Sequence, residues 1–529
     1  MGGGLAGLTL ALQLRRQDPT LTIRVIERRA HPVPEAAFKV GESTVEIGAH
    51  YFAEVLGLRE HLNAEHIRKF GFRFFFSDGS ERIDRCTELG VSRLLPTPSW
   101  QIDRGRFENF LGEQARAQGI EFVDGASVRG IELGEDDAPH RVRYVQGDRE
   151  HAVTARWLVD AAGRAGLLKR NQGLARANAH DVNSCWWRVE GLLQPNDWSQ
   201  DADWLQRCDP PDRWRSTNHL CGEGYWVWMI PLGSNTHSIG IVADEARHPL
   251  AGLNSHDKAM AWLRAHQPQL VALLDRPEHR LLDFMFLRHF SHDCEQVYSG
   301  QRWAITGEAG LFLDPFYSPG SDFIAISNAY VADLIGKDRA GQPFAPYATI
   351  YQQLLRSFYD NTMKLYLGQY ALFGNARLMP LKVLWDYTYY WALLAPLYIS
   401  GRIAALPMLA RLRPQFERAS MLNDAIQPFL REWHAADGYG VPEDGRLLDQ
   451  YRIDWFHEMN RGLDDVLDDD AFAARAAAHV GLMERLALQL LRAARAEHPH
   501  LDDHGLARVL GHVEAGEPLL APVWYARAA

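Results

Sequence analysis

Cysteine is scarce in this chain of 529 residues. The five present (Cys86, Cys185, Cys208, Cys221 and Cys294) are scattered, with no C-x-x-C pair. That excludes a disulfide framework and a cysteine-ligated zinc, and it fits a reducing compartment. The 22 histidines include no H-E-x-x-H spacing, so no metal is expected, and no G-x-S-x-G nucleophile elbow is present. Long apolar runs are missing as well. The richest stretch, residues 378–412, is interrupted by Lys382, Asp386, Arg402 and three prolines, and a membrane helix needs roughly 20 apolar residues in succession. Buried or groove-lining helices are therefore expected there, and membrane contact is not. No secretory leader is read at the start, because a glycine motif already occupies it; a cytoplasmic location is the expectation. Positive charge is not in excess: 56 Lys and Arg face 67 Asp and Glu, for a formal net charge of −11. Nucleic acid is not an expected partner of so acidic a chain.

What is present is an α/β pattern. Residues 5–17 read as a helix with arginines at its end, 21–27 as a strand rich in branched residues, and 46–62 as a helix. "GFRFFFSDG" and "ERID" read as two strands around a turn, 105–118 as an amphipathic helix, and "GIEFVDGASVRGIEL" as strands. Short strands dominate from about 180 to 300. A strand, a long loop and a helix follow in "QRWAITGEAGLFLDPFYSPGSDFIAISNAYVADLIG", and beyond 345 the chain reads as almost wholly helical. The expected organisation is a nucleotide-binding domain from 1–180 and 295–345, an inserted β-rich substrate-side domain at 181–294, and a helical region at 346–529 that covers the substrate pocket.

The opening "MGGGLAGL" contains a G-x-G-x-x-G fingerprint at Gly2, Gly4 and Gly7. In such a motif the glycines let the backbone approach a diphosphate while a helix N-terminus faces its charge. Glu27, with Arg28 beside it, ends the predicted strand where an acidic side chain can accept hydrogen bonds from ribose hydroxyls. The alternative is a glycine-rich turn followed by a chance glutamate. The fingerprint normally follows a strand, and none precedes it here; either another segment fills that place or the recorded start lies downstream of the true one.

Three later stretches refine the nucleotide. "QIDRGRFENFL" sets Arg104 ahead of a helix, "WLVDAAGRAG" ends a strand at Asp160, and "WAITGEAGLFLDPFYSPGS" ends one at Gly307 and supplies Asp314 before a glycine-containing loop. In this order they resemble the FAD-dependent monooxygenase fold shared by aromatic hydroxylases and flavin-dependent halogenases. The resemblance implies a Rossmann-like FAD-binding domain of the aromatic-hydroxylase (GR2) type, with Asp314 near the ribityl or phosphate region and the loop through Gly320 beside the flavin ring. "GYWVWMIPL" carries Trp226, Trp228, Ile230 and Pro231, which resembles the halogenase W-x-W-x-I-P motif. "VGEST", with Ser43 and Thr44, resembles the halogenase G-E-[AS]-T loop. Two tryptophans alternating on a strand are also ordinary core residues.

The halogenase resemblance implies FAD supplied reduced by a separate flavin reductase, O2, a halide (chloride or bromide), and a small electron-rich aromatic substrate, phenol- or pyrrole-like, free or carrier-tethered. In the family a lysine delivers the hypohalous oxidant, by hydrogen bonding or as a haloamine. The matching residue is Lys69 in "HIRKFGFRFFF", with Lys39 a weaker candidate and a surface lysine the plain alternative. Tyr317 stands where tryptophan halogenases carry a glutamate, which directs the expectation to the non-tryptophan branch. In the halide loop, Ser318, Pro319, Gly320 and Ser321, the proline has no N–H to offer a halide. An FAD-dependent aromatic hydroxylase and a non-catalytic homologue remain the competing expectations.

Overall fold

The structure, a computed structural model, describes residues 1–36, 38–438, 445–514 and 516–525. The chain divides into two compact units that interleave in sequence: 1–66, 102–179 and 290–360 form the first, and 67–101, 180–289 and 361–529 the second. Residues 67–101 thus belong with the β-rich and C-terminal helical parts.

In the first unit, strand Arg24–Ile26 pairs in parallel with Glu121–Val123, and Leu158–Asp160 pairs in parallel with Trp303–Ile305. The lane between the two pairs, where the fold resemblance places a leading strand, is held by Met1 and Gly2. Gly2 N–H donates to Ile26 O (2.8 Å), Ala161 N–H donates to Met1 O (2.7 Å), and the terminal amine donates to Val159 O (2.8 Å). The expected gap is therefore bridged over these residues. Helix Leu5–Gln17 follows at once and is buried over most of its length. It is locked to helix Gly320–Arg339 by Asn328, whose amide donates to Ala6 O and Thr9 Oγ1 (both 3.2 Å) while its carbonyl accepts from Thr306 Oγ1 (2.8 Å). A three-stranded antiparallel sheet (Ala126–Glu132, His140–Gln146, Arg149–Ala155) completes this unit's main elements.

The second unit is built on an eight-stranded sheet in the order Leu281–Leu287, Val182–Glu190, Thr236–Asp244, Tyr225–Leu232, Thr217–Gly222, Phe72–Phe76, Glu88–Gly90, Leu447–Asp449. Alternation gives it two different faces. Cys185, Trp187, Tyr225, Val227, Met229, Ile239 and Ile241 point into a dry core shared with helices His256–His266 and Pro268–Leu274. The opposite face carries a cross-strand row, Phe74, His219, Trp228, Gly240, Trp186 and Met285, in register across six strands. A buried ion cluster ties the far side together: Glu88 accepts from Arg73 and, at 2.9 Å, from Arg213, whose guanidinium also lies 3.8 Å over the Trp204 ring. Helices 378–389 and 413–437 pack through an interior network in which Lys382 Nζ donates to Asp386 (2.5 Å) and Gln427 (3.1 Å).

Several local expectations are corrected. "ERID" is a tight helical turn, Ile83–Arg85, because the Asp84 carboxylate is drawn to Arg82 (2.9 Å) and Ser199 (2.7 Å). The helix expected over 46–62 is interrupted at Gly57, whose φ of +69° leaves the helical region. Two helices of seven or more residues, His256–His266 and Pro268–Leu274, stand within the region expected to be mostly strands. Their starts were legible: Ser255 Oγ caps the first and Pro268 opens the second. The helical C-terminal part also contributes a sheet strand, Leu447–Asp449, paired with Glu88–Gly90. Among the described residues no helix is long and apolar enough to cross a membrane.

Candidate active site

The glycine motif does three separate jobs. Gly2 has φ +99°, and a Cβ there would lie 2.2 Å from Ala161 O. A Cβ on Gly7 would lie 2.0 Å from Gly2 O, so the turn closes only around a bare Cα. A Cβ on Gly4, in contrast, would meet nothing within 4 Å. Gly4 is the N-cap of helix Leu5–Gln17 and offers no side chain to that helix's first amides. The space above it is a cradle that a side chain would fill and a diphosphate can enter, facing the first-turn N–H groups and the positive end of the helix. Glu27 stands at its edge, oriented by Gly3 N–H (2.6 Å) and Arg29 N–H (2.8 Å), while Arg28 is exposed.

Other residues expected at the cofactor have defined local partners. The Asp160 carboxylate accepts from Ala162 N–H (2.9 Å) and Leu168 N–H (2.6 Å) and so braces its loop; burial pushes its carboxyl above the usual range. Arg104 donates to Val40 O (2.6 Å) and to Glu108 (2.6 Å), and Lys39 reaches the second Glu108 oxygen (2.5 Å). Burial alone would raise the Glu108 carboxyl, but Arg104 and Lys39 hold it below the ordinary range. This triad fixes the loop that carries Ser43 and Thr44, both buried. Gly307 sits at φ +62°, where a Cβ would press on Ala6 Cβ at 2.8 Å.

Asp314 is fully buried and accepts from Phe316 N–H (2.9 Å), which turns the chain into the loop 315–319. Ser318 has φ +55°, and Pro319 is the N-cap of helix Gly320–Arg339. The proline's missing N–H therefore removes no first-turn donor, since those begin at Gly320. A Cβ on Gly320 would meet only Phe312, at 3.9 Å. Ser321 is buried against Gly48, yet its hydroxyl has no hydrogen-bond partner among the described residues. A buried, unsatisfied hydroxyl beside open helix-terminal amides is a site for an oxygen-rich or anionic group.

The second unit, taken by itself, contains Lys69, Trp226 and Trp228. Lys69 is 4% exposed; its N–H donates to Ser99 O (2.9 Å), and its ammonium lies 3.4 Å from the centroid of the Phe72 ring. Phe72 meets His219 edge-on at 5.3 Å, and His219 lies 5.3 Å from Trp226, which is 5.7 Å from Trp228. The lysine and both motif tryptophans thus adjoin one aromatic surface, on the sheet face opposite the dry core. Trp226 Nε1 donates to Tyr370 OH (3.1 Å) and Trp228 Nε1 to Ser238 Oγ (3.1 Å). Ile230 and Pro231 follow in the same strand, Tyr225–Leu232, both buried. Sequence reading missed Phe72 and His219: His219 is in register with Trp228 on the neighbouring strand, and Phe72 lies one strand further, opposite Thr217.

Residues 82–339 match the family model described as tryptophan halogenase, and residues 1–66 match the NAD(P)-binding Rossmann-like domain. The flavin-dependent halogenase chlA of Dictyostelium discoideum is 28% identical over 441 residues, covering 78% of this chain and 72% of that protein. The chain is thus similar to flavin-dependent halogenases over most of its length. A second relative, the 1H-pyrrole-2-carbonyl-(peptidyl-carrier protein) brominase of Pseudoalteromonas luteoviolacea, is 26% identical over 63% of this chain and 76% of its own length. The crystal structure of halogenase PltM with phloroglucinol and FAD shares the fold, with a TM-score of 0.63 at 17% identity over 96% of this chain and 97% of that one. These similarities support a halogenase reading with FAD as its cofactor, and the open cradle at Gly4 fits the diphosphate of that cofactor.

Proposed function

We propose that this halogenase places chlorine or bromine on an electron-rich aromatic ring, phenol- or pyrrole-like, and that Lys69 delivers the oxidant. When bound and reduced, FAD supplies with O2 and halide the hypohalous oxidant. The chain's own residues do the rest. Gly2, Gly4, Gly7 and Glu27 hold the dinucleotide; Ser318, Gly320 and Ser321 offer polar groups to the halide and flavin region; Arg104, Asp160, Gly307 and Asp314 shape the loops between. The observation that carries the reading is the convergence of Lys69, Trp226 and Trp228 on one aromatic surface. Such a surround holds the lysine in an apolar, aromatic setting and excludes the water that would consume the oxidant.

Tyr317, where tryptophan halogenases carry glutamate, supports a substrate other than tryptophan. Both a carrier-tethered and a free substrate agree with the relatives, since one acts on a pyrrole held by a carrier protein. A separate flavin reductase is the expected partner, as no second glycine-rich unit for NADPH is read in the sequence. The five cysteines, all buried and none of them in a disulfide, support a cytoplasmic setting. The test incubates purified protein with FAD, a flavin reductase, NADH, O2 and bromide against phenols, pyrroles and resorcinols, read by mass spectrometry. Brominated product that requires bromide is expected; oxygenated product regardless of bromide would instead indicate a hydroxylase.

A further inference from the structure

Lys69 is the residue on which the proposed chemistry turns, and the structure gives its ammonium an unusual neighbour. Nζ lies 3.4 Å from the Phe72 centroid, within direct contact of the ring face. The ring itself is 2% exposed and held from several directions: His219 edge-on at 5.3 Å, Phe74 at 6.1 Å and Tyr387 at 6.1 Å. Tyr387 is in turn packed on Trp391 (4.8 Å) and Phe456 (5.6 Å). Phe72 therefore cannot swing away, and the face it presents to Lys69 is fixed. An aromatic face carries negative quadrupole density, so it attracts an ammonium and has far less to offer a neutral amine. In a buried setting, where water cannot stabilise the charge, that difference is at its largest.

We propose that Phe72 is a positioning residue that holds Lys69 charged and aimed, so that Lys69 serves as a hydrogen-bond donor to the departing oxygen of the oxidant. This rests on the reading of Lys69 given above. In the step itself the oxygen–halogen bond of HO–X breaks and a carbon–halogen bond forms. The ring carbon loses its proton, and the departing hydroxide takes up a proton and leaves as water. The Lys69 ammonium stabilises the negative charge developing on that oxygen and is unchanged at the end. The overall balance is HO–X plus Ar–H giving Ar–X plus water.

The test separates this proposal from the reading beneath it. Phe72 is replaced by 4-fluoro-, 3,5-difluoro- and pentafluorophenylalanine, which keep the ring and progressively remove its negative face; Phe72→Tyr and Phe72→Leu accompany them. In the FAD-loaded protein, acetylation of Lys69 by acetic anhydride is followed against pH by peptide mass spectrometry. The half-labelling pH is expected to fall stepwise along the series, by about one unit at pentafluorophenylalanine, a tenfold change in the ammonium-to-amine ratio. Phe72→Tyr should match the parent and Phe72→Leu should follow the pentafluoro variant. A half-labelling pH that ignores fluorination would overturn the role of Phe72, whatever Lys69 does. Bromide-dependent product that survives Lys69→Ala would overturn the delivery reading, whatever the labelling shows.

Discussion

Single residues divide sharply between those that build a site and those that leave room for one. Gly7 and Gly4 belong to the same fingerprint, yet a Cβ on the first would strike Gly2 O at 2.0 Å and a Cβ on the second would meet nothing within 4 Å. Gly7→Ala is therefore expected to destabilise the protein by about 1–3 kcal/mol through forced repacking, seen as a lower melting temperature. Gly4→Val should leave melting of the FAD-free protein nearly unchanged while weakening FAD binding at least about tenfold (~1.4 kcal/mol), measured by flavin fluorescence titration. The motif was legible in the sequence; the different task of each glycine was not, because it depends on what lies across the turn. Glu88 illustrates a residue that no motif announces. It is fully buried between Arg73 and Arg213. Burial alone raises its carboxyl, and the two guanidiniums overcome that and hold it below the ordinary range. A depressed carboxyl stabilises the fold fully above the unfolded glutamate value, about 4.3, and that contribution is lost as pH falls through the lower folded value. Glu88→Gln should lower stability by about 3–5 kcal/mol near neutrality, since two buried cations lose their partner. It should also flatten the acid limb of a denaturation profile below about pH 4.3.

At the scale of elements, the tryptophan strand Tyr225–Leu232 shows why alternation matters. Tyr225, Val227 and Met229 enter the dry core, while Trp226 and Trp228 face the aromatic surface beside Lys69. The sequence motif named the tryptophans, and period-two alternation placed them on one face, but neither disclosed Gly240 on the neighbouring strand. The Trp228 indole lies across that glycine, and a Cβ there would come within 2.2 Å of the ring. Gly240→Ala is expected to push Trp228 out of its place, at a cost of about 1–3 kcal/mol, with a shift in tryptophan emission that Gly252→Ala, where a Cβ meets nothing within 4 Å, would not produce. Helix Gly320–Arg339 carries a related lesson. Pro319 reads in the sequence as a lost halide donor, whereas at the N-cap it leaves the amides from Gly320 onward in place. The start of that helix, not the composition of the loop, decides which groups remain to bind an anion.

For the whole molecule, the order of motifs along the chain disclosed the fold class, because each lies within one local strand–turn–helix unit. The partition into units was harder to read. Residues 67–101, which contain Lys69, lie between two segments of the first unit yet belong to the second. Their strand Phe72–Phe76 pairs with Thr217–Gly222, more than a hundred residues away in sequence. Parallel pairing over such a distance leaves no local trace beyond the apolar run itself. The lysine and the tryptophan motif, far apart in sequence, share one aromatic surface, and the proposed role of Lys69 depends on that convergence. The most direct measurement compares bromide-dependent product formation by the parent protein and by Lys69→Ala, with FAD binding and melting temperature recorded for both. The account predicts brominated arene from the parent and a loss of at least about a hundredfold, ~2.7 kcal/mol of activation free energy, in a Lys69→Ala protein that still binds FAD and melts normally. A folded, FAD-loaded Lys69→Ala protein that brominates at the parent rate would contradict it.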